Sequence, residues 1–204
     1  MRKFIHRFPG YNVLDKWDSP SWNEQTRKVV EKRLAEIPER RFFDPDEWET
    51  LKAVCNRIIP QPDRPESPVP IAPFIDGKMY NDQKDGYRYE DMPSMQESWK
   101  LGLKGIDDES RLRFGSMFLE LSPEQQDEIL SSIQKEEVQS EVWQRLPAGR
   151  FFTARVLHDV TAVYYAHPEA WNEIGFGGPA SPRGYFRLGA DRSDPWEAME
   201  VKNE

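Results

Sequence analysis

The chain has 204 residues, a formal net charge of −8 and 37% hydrophobic residues. With a pI of about 5.1 and a mean hydropathy of −0.82, it suits one acidic domain and argues against nucleic acid as the main ligand, which would want clustered Lys and Arg. Aromatic content is high at 12%, including 7 Trp, so burial rests on a few large side chains, and Cys55, the single cysteine, excludes a disulfide framework or a multi-cysteine metal site.

In chain order the pattern is helical. Residues 1–20 read as an extended arm broken at Pro9-Gly10 and Ser19-Pro20. Ser21 with Glu24 resembles a capping box and predicts a helix to about Leu34. Asp44-Pro45-Asp46-Glu47 is a stronger start, with an N-cap acid, proline at the first helical position and acids at the positive dipole end. Trp48, Leu51, Val54, Cys55 and Ile58 then keep helical spacing until Pro60. Cys55 therefore reads as a buried small hydrophobe.

Residues 60–70 form a stiff proline-rich crossover. Ile71, Phe74, Ile75 and Met79 mark a short helix and Asp85-Gly86 a turn; Met95, Trp99, Leu103 and Ile106 predict a helix running toward Gly115. Ser122-Pro123-Glu124-Gln125 caps a helix carrying Ile129, Leu130 and Ile133. The longest apolar helix is expected at about 149–166, stopped by His167-Pro168. No segment alternates with period two, so the reading is an all-α fold: a single helical domain of about six helices with irregular N- and C-terminal arms. The expected divisions are an arm with one helix at 1–41, a helical domain at 42–188 and a tail at 189–204.

The charge is uneven, since residues 1–43 hold ten Lys/Arg against six Asp/Glu. An N-terminal arm lying across an acidic body fits this, as does a solvated mixed surface. The opening MRKFIHRFPGYN lacks the apolar stretch of a secretory signal and a twin-arginine pair, and no window is long and apolar enough to span a membrane. The expectation is a protein that is cytoplasmic or carried to the periplasm by a signal-bearing partner.

Signs of chemistry are sparse. Gly175-Phe176-Gly177-Gly178-Pro179-Ala180 formally fits a dinucleotide pattern, but it follows a helix, and Pro179 and Pro182 obstruct the helix that should receive a pyrophosphate. His158 and His167, near Asp159 and Glu169, do not obviously share a face, so they read as a helix-packed histidine and one aiding a helix C-terminus. Asp107-Asp108 and Glu136-Glu137 read as solvated helix faces. No catalytic, cofactor-binding or metal-ligating set is expected in this chain.

The most informative stretch is YYAHPEAWNEIGFGGPASPRGY, residues 164–185, read as an apolar helix running into a Pro/Gly loop. A connector that only crosses water is polar and small, whereas this one carries large aromatics. It is pinned either to the protein's own core or to another subunit. Trp171, Ile174, Phe176, Arg183 and Tyr185 are of the types that anchor interfaces, on a backbone stiffened by Pro179 and free to turn at Gly175, Gly177 and Gly178. Trp17 and Trp22 on the N-terminal arm have the same character and complete the expected partner-binding set.

Several short motifs occur in order: Leu51-x-x-x-Cys55-x-Arg57-Ile58-Ile59-Pro60, Ile71-Ala72-x-Phe74-Ile75-Asp76, and Leu101-x-Leu103-x-x-Ile106-Asp107. Phe118-x-x-Leu121-x-x-x-Gln125-Gln126 and Trp171-x-x-Ile174-Gly175-Phe176-x-Gly178-Pro179 follow. Together with Phe43 and the Pro-rich crossover, this order over about residues 42–188 resembles the gluconate 2-dehydrogenase subunit 3 family. The resemblance implies an all-helical small subunit of a sugar or polyol dehydrogenase. Its large partner would be a flavoprotein of the glucose–methanol–choline type that carries the FAD, often beside a cytochrome c subunit with haem c. The small subunit would bind no FAD and do no chemistry, but support maturation and often export of the flavoprotein. Many members begin with a twin-arginine signal, where this sequence has its N-terminal arm. An independent helical binding or structural protein of the same fold is the alternative.

Overall fold

The computed structural model describes residues 8–87, 89–179 and 198. Among them the structure is all-α. In chain order the helices are α1 (Glu24–Ala35), α2 (Pro45–Ile58), α3 (Ile71–Tyr80), α4 (Met95–Phe114), α5 (Pro123–Gln134), α6 (Ala148–Phe151), α7 (His158–Tyr165) and α8 (Pro168–Ile174). The chain gathers into two compact units: 38–163, and the described residues of 1–37 and 164–204.

In the larger unit, α2 is opened by Asp44, whose side chain accepts from Glu47 N while the Glu47 carboxylate accepts from Asp44 N. This reciprocal cap is the one expected from sequence, and it satisfies two backbone donors that a helix start leaves unpaired. Leu51, Val54 and Cys55 are buried along one stripe of α2. The crossover of residues 60–70 is closed by Gln61, whose amide accepts from Val69 N at 2.7 Å and donates to Val69 O at 3.2 Å. It leads into α3.

Helix α4 starts at Ser94 and ends at Gly115, which takes φ 75° and so a conformation a Cβ would strain. Its Gly102 and Gly105 lie directly under the rings of Phe151 and Trp143; a Cβ on Gly102 would stand 2.0 Å from Phe151 Cζ. The absence of side chains there brings the aromatic layer onto the helix. Trp99 sits at its centre, fully buried, edge-on to Phe43 at 6.3 Å and to Phe151 at 5.7 Å. Helix α5 has the Ser122/Gln125 capping box expected and buries Ile129, Leu130 and Ile133.

The apolar run predicted at about 149–166 is helical but not uniform. Between α6 and α7 it contains a π-helical turn, Phe152–Leu157. The wide turn lets Phe151 and Val156, five residues apart, both be fully buried, with Val160 four further on. Short 3-10 turns at Phe118–Glu120 and Glu141–Gln144 carry no signal in the sequence pattern.

Buried carboxylates tie this unit together. Asp76 on α3 accepts from the backbone N–H groups of Arg41, Phe42 and Phe43 at 2.7–3.1 Å, which anchors the chain entering α2. Glu109 on α4 accepts from Gln139 N, Ser140 N and the Trp143 indole. Asp107, expected to be solvated, is instead 9% exposed and accepts from Phe118 N and the Thr50 hydroxyl. Its neighbours on α4 could not reveal this, because Thr50 and Phe118 lie 57 and 11 residues away.

The smaller unit replaces the expected extended arm with structure. A 3-10 turn (Val13–Lys16) capped by Asn12 precedes α1. The cap of α1 is Asn23, which accepts from Thr26 N at 2.8 Å, rather than Ser21, which is fully buried. Segment 168–174, read as loop, is helix α8. His167 is its N-cap, accepting from Glu169 N, so it serves the start of this helix rather than the end of the preceding one. The proline that stops one helix is also favourable at the first position of the next.

Candidate functional site

The partner-binding residues expected from sequence fall largely within the smaller unit. Trp171 and Trp22 are 3% and 2% exposed and form a core cluster with Val13 and Val30, flanked by Trp17, Tyr11, Leu14 and Leu34. The Trp171 indole donates to Tyr165 O at 2.7 Å, and Trp17 meets Trp22 edge-on at 5.9 Å. Val13 N donates to Asn172 Oδ1 at 2.8 Å and Lys16 Nζ to Gly177 O at 2.6 Å, which binds the N-terminal segment to α8 and its exit. Trp171 and Trp22 are thus packed into the core of this unit.

The glycines serve the same packing. Gly175 ends α8 with φ 67°, and a Cβ on it would meet Phe8 at 2.6 Å; Gly178, with φ 68°, lies against the Trp22 and Trp171 rings. Gly177 has the Lys16 ammonium in the corresponding position, and Pro179 is half-buried. Ile174 and Phe176 are different: they remain 48% and 38% exposed, Phe176 with its ring edge-on to Trp171 at 5.6 Å. Arg183 and Tyr185 lie outside the described residues.

A second constellation, in the larger unit, includes His158 and Asp159, weighed from sequence only beside His167 and Glu169, and joins them to Lys78, Asp85 and Arg155. Lys78 on α3 donates to Asp85 at 2.7 Å and to Asp159 at 2.8 Å. Asp159 also accepts from the Trp99 indole at 2.8 Å and lies 3.2 Å from His158 Nδ1. Arg155, in the π turn, approaches Asp85 at 3.5 Å. Burial alone would lower the Lys78 pKa, but its hydrogen bonds to Asp159 and Asp85 outweigh that and hold it above the ordinary lysine value. Ligand atoms of Asp85, His158 and Asp159 lie within 4.8 Å of one another. The Lys78 ammonium already bridges the two carboxylates, however, so the cation this group is built around is a side chain. His158 is exposed rather than packed in the helix interface.

Next to this network a cleft of about 390 Å³ is lined by Arg155 and by the irregular segment after α3, including Lys84, Tyr87, Tyr89, Ser94 and Gln96. The sequence does carry a weak signal of it: Lys78 and Asp159 interrupt otherwise apolar helical stripes, where an unpaired charge would be costly. What pairs them is decided by tertiary packing.

The comparison that bears on identity spans residues 45–178, which fit the family model described as gluconate 2-dehydrogenase subunit 3. The chain belongs to the gluconate 2-dehydrogenase subunit 3 family. No curated protein and no solved structure shows significant similarity to it. The region matched to the subunit 3 family takes in α2 to α8 and stops at the Gly178 that packs against Trp171, so α8 and the Lys78 network both lie inside it. No described helix is long and apolar enough to cross a membrane.

Proposed function

We propose that this chain is a non-catalytic accessory subunit of a flavin-dependent sugar or polyol dehydrogenase. It supports folding and maturation of a glucose–methanol–choline-type flavoprotein, which holds the FAD and the substrate. Membership of the subunit 3 family over residues 45–178 carries this reading. The buried carboxylates fit a structural role, since Asp76, Glu109 and Asp107 direct their oxygens to backbone amides and neighbouring side chains.

Ile174 and Phe176 are the contact we assign to the flavoprotein. Ile174 at the end of α8 is 48% exposed and Phe176, just beyond the Gly175 cap with its ring against Trp171, is 38% exposed, so both are held by a helix capped at both ends. Apolar anchors on a pre-ordered element lose little conformational entropy on binding.

Co-expression with a flavoprotein encoded beside this chain tests the reading. The flavoprotein's soluble yield and flavin occupancy should rise with this chain present, and the two should co-purify. An Ile174→Ser, Phe176→Ser double variant should keep its helical circular dichroism and lose co-purification. Flavin occupancy and yield that are the same with and without this chain would instead identify an independent helical binding protein.

A further inference from the structure

We propose that Arg155 anchors a binding site for a small monocarboxylate in the cleft beside the 82–96 segment. The side chain is 3% exposed and lies in the π turn, a helix irregularity that recurs at functional sites. Its Nη1 donates to Ala154 O at 3.1 Å and reaches Asp85 only at 3.5 Å. Nε is buried without a partner, and Nη2 forms no bond among the described residues. Asp85 cannot supply more, because its other oxygen is bonded to Lys78 at 2.7 Å. Asp159 is already engaged by Lys78 and the Trp99 indole.

The vacant pair of donors has a defined geometry. Nε and Nη2 form the side of a guanidinium that receives a carboxylate in a two-point fork. A buried cation with that side unbonded is destabilising, and an anion there would offset the cost. The guanidinium carbon stands 5.6 Å from the centre of the Tyr89 ring, which Arg150 also approaches at 5.4 Å, a contact that takes up none of the Arg155 hydrogen-bond donors.

The same cleft limits the ligand. A volume of about 390 Å³ is near the lower end for small-molecule sites. Asp82 in its lining is paired with Lys84 at 3.1 Å and Asp85 adjoins Arg155, so the site carries little excess positive charge and a singly charged anion is favoured over a dianion. The described residues that line the cleft after α3 have no regular secondary structure up to Ser94 and turn at Gly86 with φ 82°.

The test uses the full chain with ¹⁵N-labelled arginine. The Arg155 Nε–H resonance is assigned by through-bond correlation to its own backbone, and sodium acetate, sodium lactate and inorganic phosphate are titrated separately. Sodium chloride at matched ionic strength is the control. Acetate and lactate should move the resonance saturably, and chloride should not. Arg155→Lys keeps the charge but lacks the fork, and should weaken the acetate affinity read from thermal stabilisation about tenfold, the equivalent of one charge-assisted hydrogen bond. If that variant does not fold, the titration of the unsubstituted chain decides alone. A response equal to that of chloride, no saturation, or a response to phosphate only would overturn the proposal.

Discussion

Replacing Trp171 by alanine should unfold the smaller unit rather than merely weaken an interface. The side chain is 3% exposed, its indole donates to Tyr165 O at 2.7 Å, and it packs with Val13, Trp22 and Val30. Truncating a buried tryptophan costs about 3–5 kcal/mol, and the orphaned Tyr165 carbonyl adds about 1 kcal/mol. For a chain of this size, roughly 4–6 kcal/mol corresponds to a fall of about 8–24 °C in the transition that includes this unit. Trp171→Phe keeps most of the apolar volume but not the N–H, and should lose about 1–2 kcal/mol. Amide hydrogen exchange resolves the effect by region: α1 and α8 should lose protection in Trp171→Ala. Helices α2 to α5 report separately on the larger unit. Unchanged protection in α1 and α8, with an unchanged melting temperature, would refute the assignment of Trp171 to the core. It would return Trp171 to the set of interface anchors.

The buried polar and thiol groups give three further outcomes. Asp76→Ala should cost about 3 kcal/mol or more in urea unfolding, because three backbone N–H groups at residues 41–43 lose their acceptor; a loss under about 1 kcal/mol would show that water replaces the carboxylate. Asp107 has its pKa raised, chiefly by desolvation and against the bonds from Phe118 and Thr50. A folded-state pKa above the unfolded one means that Asp107 favours folding most below its unfolded pKa, and loses that contribution as pH rises through the folded value. Stability relative to Asp107→Asn should therefore improve as pH falls from neutral into the acidic range, and a constant or reversed difference would contradict the shift. Burial pushes the Cys55 thiol far above its ordinary pKa, so native protein should react with a thiol reagent only at the rate of unfolding. Rapid labelling at neutral pH would place Cys55 on the wrong face of α2.

Local chemistry alone determined where α2 and α5 begin and where α4 ends. Asp44-Pro45 and Ser122-Pro123 specify caps within four residues, and Gly115 stops α4, because the groups involved are neighbours in sequence. The apolar stripe of Leu51, Val54 and Cys55 was legible for the same reason: helical period alone places them on one face. The order of short motifs also carried the family. Sequence could not decide what the aromatic residues of 164–185 pack against, since Trp171 meets Val13 and Trp22 from the opposite end of the chain. Nor could it separate those indoles from Ile174 and Phe176, which share their hydrophobicity but remain exposed. The buried charges show the limit most clearly. Asp107 looks like any acid in an acidic helix until Thr50 and Phe118 are brought to it, and Lys78, Asp85, Arg155 and Asp159 come together across up to 81 residues. Burial of a charge depends on partners that only the tertiary structure supplies.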